Sequence, residues 1–141
     1  MEMNIGYLLK NVSDKMRVMG DADLKKYHLT FSQSTVLAFL KSQDGYQSTQ
    51  KEIERFMRVS HPTVVGILAR MEKSGFVTTA LDPHDRRHKI VTLTQQAVDV
   101  SEVLEQSMHA NERRMTKSLN EEEIAKLKRY LMVMYKNLED L

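Results

Sequence analysis

Residues 60–75 run Ser60-His61-Pro62-Thr63-Val64-Val65-Gly66-Ile67-Leu68-Ala69-Arg70-Met71-Glu72-Lys73-Ser74-Gly75, and this stretch decides the fold. Val64, Ile67, Leu68 and Met71 stand at i, i+3, i+4 and i+7, so a helix turns all four to one buried face. Ser60 suits the N-cap, and Pro62 is tolerated in a first turn whose N–H groups have no intrahelical partner. Gly75 stops the helix. The opposite face is left with His61, Thr63, Val65, Gly66, Ala69, Arg70 and Lys73. It is polar or small near its start and basic toward its end. An exposed valine beside a glycine is odd on a face made only for water, and points to a contact surface.

The neighbouring segments frame that helix. Upstream, Thr49 followed three residues later by Glu52 is a capping box, opening a short helix expected to bury Ile53, Phe56 and Met57. Downstream, residues 76–81 and 89–94 are rich in Val, Thr and Ile. They flank the polar loop Asp82-Pro83-His84-Asp85-Arg86-Arg87-His88, which predicts a β-hairpin with a charged tip. Two short helices joined by a tight turn and followed by a hairpin are the layout of a winged helix-turn-helix.

Helices extend the chain on both sides. Ile5, Leu8, Leu9, Val12, Met16 and Met19 recur at helical spacing. Thr30 and Gln33 form another capping box ahead of Val36, Leu37 and Leu40, and Asp44-Gly45 marks a turn. Ala97, Val100, Leu104, Met108 and Met115 line a long helix. Asn120 with Glu123 opens a last one, where Ile124, Leu127, Leu131, Met134, Tyr135 and Leu138 recur. The expected fold is mainly α with a small β-hairpin wing: a single domain over residues 1–141, with the winged helix-turn-helix at 30–94. The helices at 1–28 and 95–141 bear apolar stripes too long for so small a module to cover, and are expected to pair in a homodimer.

Composition is permissive more than directive. The 141 residues carry a net charge of +2, with 41% hydrophobic and 28% charged residues, the ordinary globular range. Residues 49–94 hold eight Lys/Arg against five Asp/Glu, a local +3 that leaves −1 for the rest. That asymmetry has the sign a DNA-reading module needs. No apolar run is long enough for a membrane helix, no signal peptide is legible at the N-terminus, and cysteine is absent. A cytoplasmic protein fits these features.

In a DNA reading, Thr63 and His61 reach base edges or phosphates and Val65 meets a thymine methyl. Gly66 and Ala69 permit close approach, while Arg70 and Lys73 neutralise phosphates. Arg86 and Arg87 on an exposed tip suit a narrowed minor groove. Asp82 and Asp85 flank them and are placed to hold a guanidinium in one geometry, reducing the ordering loss on binding.

Taken in order, these pieces resemble the MarR family of multiple-antibiotic-resistance regulators over almost the whole chain. The resemblance is carried by Leu29-Thr30-Phe31-Ser32-Gln33, by Ser60-His61-Pro62-Thr63-Val64-Val65-Gly66-Ile67-Leu68 with Glu72-Lys73-Ser74-Gly75-Phe76-Val77, and by Asp82-Pro83-His84-Asp85-Arg86-Arg87 running into Val91-Thr92-Leu93-Thr94. It implies a dimer with intertwined terminal helices, binding a pseudo-palindromic operator, usually as a repressor. It also implies frequent release by a small aromatic or phenolic effector. Carried over by position, His61, Thr63, Val65, Gly66 and Arg70 fall on the recognition helix, with Ser60 at its cap. Arg86 and Arg87 fall on the wing tip, and Thr49 and Gln50 match a helix start that meets the DNA backbone. Members that sense peroxide use an N-terminal cysteine; this chain has none, which excludes that mechanism. Its ten methionines sit at helical core spacings, where packing is the ready explanation.

Two rival classes are weaker. No glycine-rich phosphate loop, HExxH or nucleophile elbow supports an enzyme, so no catalytic residue, cofactor or metal is assigned. His84, Asp85 and His88 form an exposed group with no second shell, and metal sensing through His28 or His109 has little behind it. A protein-binding winged helix tends to lose a basic wing, whereas this sequence keeps Arg86, Arg87 and Lys89.

Overall fold

Helix starts in this chain are set by side chains that replace missing backbone partners. In the computed structural model, which describes residues 2–141, Thr30, Thr49 and Asn120 each accept the N–H of the third residue on. Gln33, Glu52 and Glu123 reach back to the cap N–H, completing all three boxes. They open α2 (Phe31–Lys41), α3 (Gln50–Met57) and α6 (Glu121–Asn137). Glu52 also accepts from the Ser48 hydroxyl. That bond, and then the Thr49 amide, hold its carboxyl below the usual carboxylate range.

Ser60 caps α4 (His61–Lys73), with proline in the first turn. Gly75 follows at φ +81°, a left-handed conformation that a side chain would strain. The tight turn between α3 and α4 is made differently: Arg58 itself adopts φ +55°. The remaining long helices are α1 (Ile5–Lys25) and α5 (Gln95–Met115).

The wing is slightly larger than a hairpin. β2 (Val77–Leu81) pairs antiparallel with β3 (Lys89–Leu93) in the register Val77 to Leu93 and Leu81 to Lys89. A third strand, β1 (Gln47–Thr49), adds to the far side of β3, giving the order β1-β3-β2. Sequence periodicity misses β1 because three residues contain too little alternation to register. The strand also runs directly into the α3 cap, so Thr49 ends one element and starts the next.

Packing divides the chain into two compact units, one ending at Met108 and one running His109–Leu141, with α5 continuing through the boundary. In the first, Val36, Leu37 and Leu40 of α2 join Ile53 of α3, the four apolar residues of α4, and Val77, Val91 and Leu93 of the sheet in one core. Ala97 and Val98 at the start of α5 join it, together with Leu24 of α1, Leu29 and Phe76. Phe56 departs from expectation. It remains 52% exposed, because it lies flat against Phe39 with ring centroids 4.5 Å apart rather than pointing inward. In the second unit, Lys128 Nζ lies 3.1 Å from Glu112. No side chain of α6 is buried. No helix among the described residues is long and apolar enough to cross a membrane.

Candidate nucleic-acid interface

The outer face of α4 is built by what its inner face anchors. With Val64, Ile67, Leu68 and Met71 buried, Val65 is left 42% exposed. His61, Thr63, Ala69, Arg70 and Lys73 are exposed beside it. At the helix start the polar groups are already engaged with one another. The Ser60 hydroxyl lies 2.8 Å from the Thr63 hydroxyl and also accepts the Thr63 N–H at 3.4 Å.

Gly66 differs from the simple expectation of an open notch. A Cβ built there would meet the Arg70 guanidinium at 3.6 Å, so the guanidinium lies over the glycine and shields it. The contact is ordinary van der Waals distance and the backbone is helical, so alanine fits. Gly66→Ala is therefore expected to stabilise the protein by about 0.5–1 kcal/mol through helix propensity. The added methyl should also hinder close approach of the helix to a base edge and weaken binding to a cognate duplex. A thermal melt beside a mobility shift checks both; a fall in stability would show that the helix needs this glycine for packing.

Thr49 and Gln50 stand at the α3 start, both partly buried. The Thr49 hydroxyl is committed to the Glu52 amide, while the Gln50 amide reaches across to α4. Gln50 Nε2 lies 3.5 Å from Glu54 Oε1 and 3.4 Å from His61 Nδ1. The His61 ring nitrogen contacts the same Glu54 oxygen. Gln50, Glu54 and His61 thus lace the two helices together at the exposed end of α4. Sequence reading found Gln50 and His61 but missed Glu54, since a contact seven residues apart across a turn leaves no period to detect.

At the wing tip the two arginines have separate fates. Arg87 forks onto Asp85, with Nε 3.0 Å from Oδ1 and Nη2 3.1 Å from Oδ2. Asp85 also accepts the Arg87 backbone N–H at 3.1 Å and lies 3.4 Å from His88 Nε2. The guanidinium hydrogen bond holds the Asp85 carboxyl below its ordinary range, and Asp85 in turn raises Arg87. Asp82, expected to help hold a guanidinium, instead accepts the His84 N–H at 2.8 Å and shapes the loop. Arg86 is exposed, and among the described residues no hydrogen bond or ion pair ties it down. The structure thus brings Gln50, His61 and the Ser60–Thr63 pair together at the α3–α4 junction, with Val65, Gly66 and Arg70 further along α4 and Arg86 and Arg87 on the separate wing.

Comparison with known proteins places this geometry. The sequence profile described as MarR family matches residues 27–88. The HTH-type transcriptional repressor IacR of Pseudomonas putida is 31% identical over 118 residues, covering 84% of this chain and 70% of that protein. The transcriptional activatory protein BadR of Rhodopseudomonas palustris is 38% identical over 55 residues, which span only 39% of this chain and 31% of BadR. Among solved structures, the MepR–DNA complex of Staphylococcus aureus superposes with a TM-score of 0.78 at 26% identity, over 96% of this chain and 97% of that one. With shared sequence over most of its length and the same winged-helix fold, the chain belongs to the MarR family of transcription regulators.

Proposed function

We propose that this protein is a ligand-responsive repressor that binds a pseudo-palindromic DNA operator as a homodimer. The observation that carries the reading is the outer face of α4: an exposed Val65, a glycine shielded only by a movable arginine, and a basic C-terminal end. Such a face enters a major groove, where base edges give sequence information and phosphates give affinity. Thr49, Gln50, Ser60, His61, Thr63, Val65, Gly66, Arg70, Arg86 and Arg87 are the proposed contacts. The complex of MepR with DNA supports the same use of this fold.

Dimerisation rests on uncovered apolar surface. α1 buries only Leu24, leaving Ile5, Leu8, Leu9, Val12 and Met16 exposed. α6 leaves Leu127 and Leu131 exposed with nothing buried, and Leu138 just after it is exposed as well. Two copies covering these stripes would present two copies of α4 to successive half-sites, turning two weak contacts into one strong one. Repression is favoured over activation because the likeness to the repressor IacR extends over most of the chain, whereas that to the activatory BadR is local. Release by a small aromatic or phenolic effector is supported by the family resemblance.

A salt titration of duplex binding, run beside a solution mass measurement, tests the proposal. Affinity should fall linearly on a log–log plot as released counterions become less favourable, and the mass should be that of two chains. Binding that ignores salt would instead favour a winged helix that recognises protein, and a stable monomer would remove the paired half-site geometry.

A further inference from the structure

The Gln50–Glu54–His61 cluster has a consequence for what α4 offers to DNA. Glu54 is four-fifths covered while the His61 side chain is largely exposed. The Glu54 oxygen touches Nδ1 of the ring. A carboxylate oxygen only accepts, so this contact is attractive only when Nδ1 carries a proton. Gln50 cannot then donate to Nδ1, and its amide donates to the Glu54 oxygen instead. The carboxylate is held between two donors, one from each helix.

We propose that Glu54 is a positioning residue for DNA reading: it fixes the proton of His61 on Nδ1 and so presents Nε2 as the ring's one free nitrogen at the start of α4. In the neutral ring Nε2 is then an acceptor. The major-groove groups that complement an acceptor are the exocyclic amino groups of adenine and cytosine. His61 thereby selects a base pair, and Glu54 sets the chemistry of that choice without touching DNA. Fixing a ring through the partner of its other nitrogen is the general means by which proteins choose a histidine tautomer.

This inference rests on the proposal that α4 enters the groove, and the experiment separates the two. Full-length protein is compared with Glu54→Ala, Glu54→Gln, His61→Ala and the Glu54→Ala/His61→Ala double variant. Proton–nitrogen correlation spectra of the DNA-free protein at about pH 8, above the range where imidazole ordinarily protonates, report the His61 tautomer. Selection from a randomised operator pool reports base preference. The wild type and Glu54→Gln, whose amide oxygen still accepts, should show the proton on Nδ1. Glu54→Ala should move it to Nε2, with no loss of fold because alanine favours helix.

Glu54→Ala and His61→Ala should each lose about fivefold of preference at the same base pair, and the double variant should lose no more, since the pair acts as one unit. An unmoved tautomer in Glu54→Ala, or additive losses in the double variant, overturns the role of Glu54. A wild-type protein with no operator preference overturns the groove reading itself, and the inference with it.

Discussion

Ile53→Ala is expected to lower the unfolding free energy by about 2–5 kcal/mol, the range for truncating a large buried aliphatic side chain. The size follows from how α3 is held. Ile53 is its one fully buried residue, at 0% exposure. Met57 is only partly buried, and Phe56 lies on the surface against Phe39. Truncation removes the apolar area of three carbons and leaves a cavity that α2, α4 and the sheet close only by moving. Because α3 and α4 share the Gln50–Glu54–His61 lacing, a loosened α3 also releases the start of α4. Denaturant unfolding at fixed protein concentration, with m unchanged, measures the effect; fixed concentration matters because a dimer's stability depends on it. A loss under about 1 kcal/mol would mean that α3 is held by its capping box and surface aromatic pair, and that the core does not extend to it.

What sequence shows of this molecule, and what it hides, follows from the range of the interactions involved. The inner face of α4, the three capping boxes and the left-handed glycine at 75 are written within four residues of one another, so periodicity and residue type suffice to find them. β1 is too short to show a period, and it exists because β3 offers it an edge more than forty residues later in the chain, where Ser48 pairs with Val91. Phe56 has the right spacing for the core, yet Phe39 offers it a flat partner at the surface. The same limit applies to the proposed contacts. His61, Val65, Gly66 and Arg86 stand out by residue type on an exposed face. Which carboxylate holds which cation does not: Asp85 takes Arg87 and leaves Arg86, Asp82 turns to the loop backbone, and Glu54 reaches His61 across a turn made by a left-handed arginine.

That division at the wing tip gives Arg86→Ala the largest expected effect on binding, about a thirtyfold loss of operator affinity. A dimer has two wings, and each contact of an arginine with the DNA backbone is taken at about 1 kcal/mol, the usual net contribution of one hydrogen bond. Arg86 is assigned that contact because no carboxylate among the described residues competes for it. Its charge is unneutralised, and the loop that carries it is braced by the Asp85–Arg87 fork and the bond from the His84 N–H to Asp82. Arg87 has to leave or share a carboxylate before it can meet a phosphate, so Arg87→Ala should act more through loop shape and cost less affinity. Neither substitution should move the melting temperature appreciably, since exposed ion pairs contribute little to stability. The arginine in each wing also adds to counterion release, so Arg86→Ala should reduce the salt slope by roughly two per dimer. The loss should fall similarly on different operator sequences, whereas changes at Val65 should alter which sequence is preferred. Mobility shifts at several salt concentrations, with a melt as control, provide the comparison. Unchanged affinity in Arg86→Ala beside a large loss in Arg87→Ala would reverse the assignment, making the carboxylate-held arginine the one preorganised for the groove.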